Sequence, residues 1–451
     1  MNNMTTAQSR KLTYLGGIVL LLIPIIWLGL PSDGKAGSGG KLARLRSDYE
    51  LGESDLGDVD PSSAAMNLVL LGMRGVAVNL LWVDLDKQKD MKRWSEMQAV
   101  TESIVRLQPH FEKVWEFNGW NLAFNTSAEW DAVPDRYYWV KTGGKFLKRG
   151  VERNRKSTHL QYHVANVLQK KIGIADESKQ YRKFFLSDPD PKFDGKPDPE
   201  FNPDGVDSYL AAKKAAELAC DKEKTRAQHI LDRSLFRSMP ARCQFDYAMV
   251  LHKDGKFGEE TREAWQEALS DWTLKYGKEF FRVPIGEEMF DIQMEMDRDD
   301  IKAFAKSPDD VVKLARAVEQ YRRMVNYYYW RTRGNCEADR ETSEAHRELY
   351  EASQFYKKQE EKKAIASAFS GMQKFDSILK KPGYEDLKDE DTLVEECLLG
   401  IMVWEDTHRL IGESVPDEFP LKWLKQARLE NTSTMQNVTR NFNRLRLSLD
   451  D

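Results

Sequence analysis

A chain of 451 residues, 41% hydrophobic and 31% charged, has room for two or three cooperative units or one extended repeat array, and is too apolar to be a disordered polymer. Its 68 basic and 73 acidic groups leave a net charge of −5, which excludes the global basic excess expected of a nucleic-acid binder. The four cysteines, at 220, 243, 336 and 397, are too widely spaced for a CxxC pair, which excludes zinc-ribbon and iron–sulfur signatures and leaves either a Cys220–Cys243 disulfide or four buried thiols.

Residues 1–12 read as a cytoplasmic N-terminus. Residues 13–30, TYLGGIVLLLIPIIWLGL, carry no charge, and at about 1.5 Å per residue they reach roughly 27 Å, enough for a hydrocarbon core. With Arg10 and Lys11 before it and Trp27 near its end, this run is expected to be a transmembrane signal-anchor. It would place a single-pass protein in the inner membrane with its soluble part on the periplasmic side. A second apolar run, Ala64 to Val83, has Arg74 and Asn79 near its middle and reads as a buried helix of the soluble part.

Residues 31–60 form a Gly/Ser-rich tether followed by an acidic, turn-prone stretch. Residues 61–185 are helical by pattern, starting at Asp60-Pro61-Ser62-Ser63. Residues 186–207 hold an acidic, proline-rich loop, 208–306 an irregular helical region, and 307–451 further helices. The last of these begins at Ser307-Pro308-Asp309-Asp310, an N-cap, a first-turn proline and two acids. No alternating β-branched run ends in Asn-Gly or Asp-Gly, so the expected fold class is all-α.

Within 61–185 the stretch Ile104 to Asn125, IVRLQPHFEKVWEFNGWNLAFN, has the punctuation of two helices and the turn between them. Pro109 ends the first because it cannot donate a backbone hydrogen bond. Gly119, four residues after Trp115, lets a partner helix approach while the indole fills the gap beside it. This is the layout of a tetratricopeptide repeat, a 34-residue helical hairpin. A degenerate copy runs through Phe146-Leu147 and Gly150-Val151 into His159 to Val167, with Ala165 at the small position. Helical pairs at 345–356 and 364–378 extend the pattern, so TPR-like hairpins stacked as an α-solenoid are expected.

The segments GMRGVAVNLLW, LQPHFEKVWEFNGWNLAFNTSAEWD and RYYWVKTGGKFLKRGVERN resemble a family of uncharacterised, single-pass bacterial membrane proteins with TPR-like domains. The resemblance covers most of 60–185 and the later helices more loosely. It implies a membrane-anchored helical scaffold with no catalytic residues to carry over. Some members bear an iron-responsive-element label, which implies RNA or iron sensing.

Stacked hairpins leave a concave surface for recognition. On this alignment Lys113, Glu116, Phe117, Trp120 and Phe124 line that groove, joined by His159, Tyr162, His163 and Asn166, while Trp115 and Gly119 pack inside. The expected function is therefore non-enzymatic: a membrane-anchored scaffold binding a protein or peptide in its groove, with no cofactor and no nucleic acid. Two alternatives are a metal-dependent enzyme or metal sensor using His159 and His163, which lie one helical turn apart, and an RNA-binding regulator.

Weaker signals read as structural. Leu160 stands where the zinc-protease motif H-E-x-x-H requires glutamate. Glu200-x-Asn202-x-Asp204-Gly205 resembles a calcium loop but lacks its final glutamate. Lys141-Thr142-Gly143-Gly144-Lys145 fails the phosphate-loop pattern, and Tyr327 to Arg333 reads as packing aromatics rather than a base-stacking platform.

Overall fold

The computed structural model describes residues 74–225, 233–285, 287–305, 307–430 and 432–447, with a few helical positions between 14 and 41. The fold is mostly helical, and consecutive helices pack as neighbours. Helix α1 (Arg74–Asp90) turns through Met91–Arg93 into α2 (Trp94–Leu107), whose buried residues Met97, Thr101, Ile104, Val105 and Leu107 follow the helical period. Pro109 ends α2 and α3 (Glu112–Trp120) follows, paired with α4 (Val133–Arg153). Then come α5 (Thr158–Asn166), whose N-cap Ser157 accepts from the Leu160 amide, and α6 (Ser178–Leu186). Helix α7 (Ser208–Thr225) packs between α5 and α8 (Arg233–Lys253), and α9 (Glu259–Ser270) lies against α8.

Three of these helices widen into π-helical turns at their C-terminal ends, namely α3 at Asn121–Thr126, α5 at Val167–Ile174 and α9 at Asp271–Tyr276. After α9 come strands β1 (Phe281–Ile285) and β2 (Glu288–Ile292), antiparallel, with Val283 opposite Phe290. The remaining helices are α10 (Arg298–Phe304), α11 (Pro308–Met324), α12 (Tyr327–Glu337), α13 (Arg340–Lys357), α14 (Glu361–Leu379), α15 (Asp391–Leu410), α16 (Lys422–Arg428) and α17 (Thr432–Arg446). Three apolar cores follow one another along the chain. The first runs from Val78 to Cys243, the second from Ala241 to Tyr327 and the third from Cys336 to Phe442. Helix α8 contributes to the first two, so the cores are continuous through its opposite sides.

The expectation of a transmembrane helix at 13–30 is corrected. Among the described residues no helix is long and apolar enough to cross a membrane, and a span needs about 20 apolar residues in one helix. Of that run, Tyr14 to Ile18, Leu20, Leu21, Ile23 and Pro24 are described as helical, and the other positions lie outside the described residues. The signal-anchor, the membrane as a partner and the single-pass inner-membrane placement with a periplasmic domain lose their support with it. The N-terminus at 1–12 and nearly all of the tether at 31–60 also fall outside the described residues.

The all-α expectation is corrected too, because β1 and β2 form a hairpin. Phe281 and Val283 on one strand and Phe290 and Ile292 on the other are buried in the second core. Nor is the spacing a fixed 34 residues: α1, α3 and α5 begin at Arg74, Glu112 and Thr158, which is not a constant interval.

The acidic loop at 187–207 is docked rather than solvated. Lys141 on α4 reaches the fully buried Asp188 at 2.7 Å, and Lys145 reaches Asp198 at 2.8 Å. Phe201 is buried against Gly144, where an added Cβ would lie 2.4 Å from its ring. Asn202 donates to the carbonyls of Phe185 and Val206, so its amide holds the loop closed. Lys141, Gly144 and Lys145 are thus the seat of this loop. The Tyr327 to Arg333 aromatics pack as well: Tyr327 stacks on Trp272 at 5.3 Å and Trp330 on Phe245 at 4.9 Å. All four cysteines are buried free thiols.

Candidate binding face

Helices α3 and α4 approach so closely that two glycines are required between them. A Cβ on Gly119 would lie 2.5 Å from Leu147 Cγ, and one on Gly143 would lie 2.6 Å from the Gly119 carbonyl oxygen. Trp115 is buried beside this crossing, stacked on Phe146 at 4.7 Å, with its Nε1 donating to the Pro109 carbonyl at 2.9 Å. With one side of α3 buried in this way, Lys113, Phe117 and Trp120 are left exposed on the other, with Glu116 partly covered beside them.

That outer side carries a connected set of groups. Lys113 pairs with Glu116 at 2.6 Å, and His163 Nε2 lies 3.0 Å from the same carboxylate. The hydrogen bond from His163, ahead of that from Lys113, holds the Glu116 carboxyl down at about 2 against the upward push of its partial burial. Trp120 remains 42% exposed and stacks on Phe124 at 5.5 Å. Lys171, in the π-helical turn after α5, lies over the Phe124 ring at 5.7 Å. Tyr162 contacts His163 and packs at a tilt on Phe236 at the start of α8, with ring centroids 5.3 Å apart. No hydrogen bond or ring contact joins His159 or Asn166, both half-buried, to these groups among the described residues.

Sequence reasoning missed four contributors. Trp82 meets Phe117 edge-on at 5.8 Å, and Lys89 lies over the same ring at 5.4 Å, both from α1. Phe236 and Lys171 come from α8 and the turn after α5. Only the three-dimensional meeting of α1, α3, α5 and α8 assembles them, and no local spacing signals it.

Burial pushes the pKa of Lys171 below its ordinary value, against the weaker upward pull of Glu177 and Asp176. Lys222 at the end of α7 is lowered for the same reason, and donates only to the neutral Gln161 at 3.1 Å. The carboxylate on the face, Glu116, is already engaged by Lys113 and His163. The partly desolvated Lys171 and Lys222 favour an incoming anion.

A second concavity, about 1040 Å³, lies along α11 and is lined by Arg298, Arg316, Arg322, Arg323, Arg331 and Tyr328. Three of its arginines are engaged within the fold. Arg322 donates to the carbonyls of Met294 and Met296, while Arg323 pairs with Glu319 and Arg331 with Glu295. The Arg322 and Arg331 contacts tie α11 and α12 to the segment after the β-hairpin.

No protein-family model matches the chain, and neither a curated protein nor a solved structure does. The roles of these residues therefore rest on their geometry alone.

Proposed function

We propose that the chain is a non-enzymatic helical scaffold that holds a segment of another protein on the face built from α1, α3, α5 and α8, and that this segment is an acidic peptide with an aromatic or aliphatic anchor. The observation that carries the reading is the exposed Trp120 stacked on Phe124, with the partly desolvated Lys171 ammonium over the Phe124 ring. Exposed tryptophan beside partly desolvated cations is the composition of interface hot spots. A carboxylate arriving there would meet a lysine whose desolvation is already complete in part, so its added cost is small.

Phe117, flanked by Trp82 and Lys89, offers a second anchor position. Lys113, Glu116, His163 and Tyr162 lie between the anchors and fix register through polar contacts. His159 and Asn166 belong at the edge of the surface. RNA is the competing occupant of a surface of aromatics and lysines, but stacking platforms for bases sit in strongly basic grooves, and this chain carries a net charge of −5.

The reading is tested by selecting linear peptides from a displayed library against the purified chain. Enrichment of peptides with Asp or Glu beside a bulky apolar residue, lost in both Trp120→Ala and Lys171→Glu, is the expected result. No enrichment, enrichment indifferent to both changes, or binding of a single-stranded homopolymeric RNA in place of peptide would overturn it.

A further inference from the structure

Where the second and third cores meet, three side chains from separate helices converge. His252 stands in the last turn of α8, Glu337 ends α12 and His346 lies in α13. One ligand atom from each falls within 4.8 Å of the other two. The imidazoles of His252 and His346 lie with ring centroids 4.4 Å apart, and Glu337 Oε2 is 2.9 Å from His346 Nε2. In a tetrahedral zinc site with bonds of about 2.0–2.2 Å, ligand atoms sit roughly 3.3–3.5 Å apart. The three ligand atoms lie within 4.8 Å of one another, so small rotations suffice to close them onto one ion.

The surroundings carry the organisation that metal ligands require. His346 Nδ1 faces both oxygens of Glu396 at 2.8 Å, the carboxylate-to-imidazole contact that fixes the tautomer and orientation of a ligating histidine. Glu337 is steadied through its other oxygen, Oε1, by Arg333 Nε at 2.8 Å, and Arg333 in turn pairs with Glu390. Phe257 and Trp265 close around His252, and Phe375 around His346.

One feature remains unexplained by packing alone. His252 Nε2 is sealed from solvent and has no hydrogen-bond partner, although an imidazole nitrogen without one is costly to bury.

We infer that His252, Glu337 and His346 bind one divalent transition-metal ion of the zinc class, with Glu396 and Arg333 as positioning residues. Two imidazoles and one carboxylate are a borderline donor set, suited to zinc, cobalt, nickel or copper and not to calcium or magnesium, which take oxygen ligands. Three protein ligands leave a fourth position for water or an exogenous donor. The ion would pin the end of α8 to α12 and α13, joining the two cores.

The test strips the purified full chain with a chelator and titrates it with Co(II) as a spectroscopic probe, followed by Zn(II) in competition. One Co(II) per chain is expected, with the intense visible absorption of a tetrahedral site, displaced by one Zn(II). His252→Phe keeps the ring stack and removes a side chain with no hydrogen bond, so its metal-free unfolding midpoint should stay near that of the parent while Co(II) affinity falls at least about 100-fold. Glu396→Gln should weaken binding about 10- to 100-fold while retaining the tetrahedral spectrum. A parent chain that takes up no Co(II), or a His252→Phe protein that binds it as tightly as the parent, would overturn the assignment.

Discussion

The ammonium of Lys171 lies 5.7 Å from the centre of the Phe124 ring. Phe124 in turn supports the exposed indole of Trp120. A cation held over an aromatic pair on an open surface is stabilised by the ring quadrupole, yet it still attracts an anion more strongly than a fully hydrated lysine would.

Trp120→Ala should separate binding from folding. The indole is 42% exposed, so its removal leaves no sealed cavity, and the thermal midpoint should move by no more than a few degrees. Affinity for a selected acidic peptide should drop at least about tenfold, the scale of an aromatic hot spot. Fluorescence anisotropy on a labelled peptide, beside a melting curve, reads both.

Gly119→Leu should do the opposite. Even a Cβ there would sit 2.5 Å from Leu147 Cγ, so the larger side chain must force α3 and α4 apart. Overpacking of this kind costs about 1–3 kcal/mol or more, and chemical denaturation should show the loss. A Gly119→Leu protein as stable as the parent would contradict the close crossing.

How much of this was legible in the sequence depends on whether a feature is local. Pro109 marks the end of α2, and the Trp115 to Gly119 spacing marks a tight helix crossing, because both are set by residues within a turn or two of each other. The β-hairpin lacks the Asn-Gly or Asp-Gly signal that a short turn most often carries, so its strands were not legible. The docked loop was hidden because its proline and acid content matches that of a solvated segment, and only the distant Lys141 and Lys145 reveal the seat. Phe117, Trp120 and Phe124 could be placed on one side of α3 by periodicity, whereas Trp82, Lys89 and Phe236 reach them from other helices. His252, Glu337 and His346 follow no motif, since their approach is made by three helices packing at the junction of two cores.

The docked loop gives its own prediction. Asp188 is fully buried and its partner is Lys141, so Lys141→Met strands a charge and should destabilise the fold by about 3–5 kcal/mol. Adding Asp188→Leu removes that charge and should recover much of the loss. A double-mutant cycle by denaturant unfolding measures the coupling.

The contacts of Glu116 set a pH dependence. Its carboxyl is held at about 2 in the folded chain, below its ordinary value of 4.5, by the His163 hydrogen bond and by Lys113. A depressed folded pKa means the stabilisation is fully present above about 4.5 and is lost as the pH falls from there towards 2. Stability measured across this interval should fall less steeply in Glu116→Gln than in the parent.

The most direct measurement of the central claim is the affinity of one selected acidic peptide for the parent chain and for Lys171→Glu, taken at low and moderate salt. The account predicts binding that weakens with salt in the parent and falls at least about tenfold on reversal of the Lys171 charge, with an unchanged unfolding midpoint. Equal affinity in the two proteins, or tighter binding by Lys171→Glu, would contradict it.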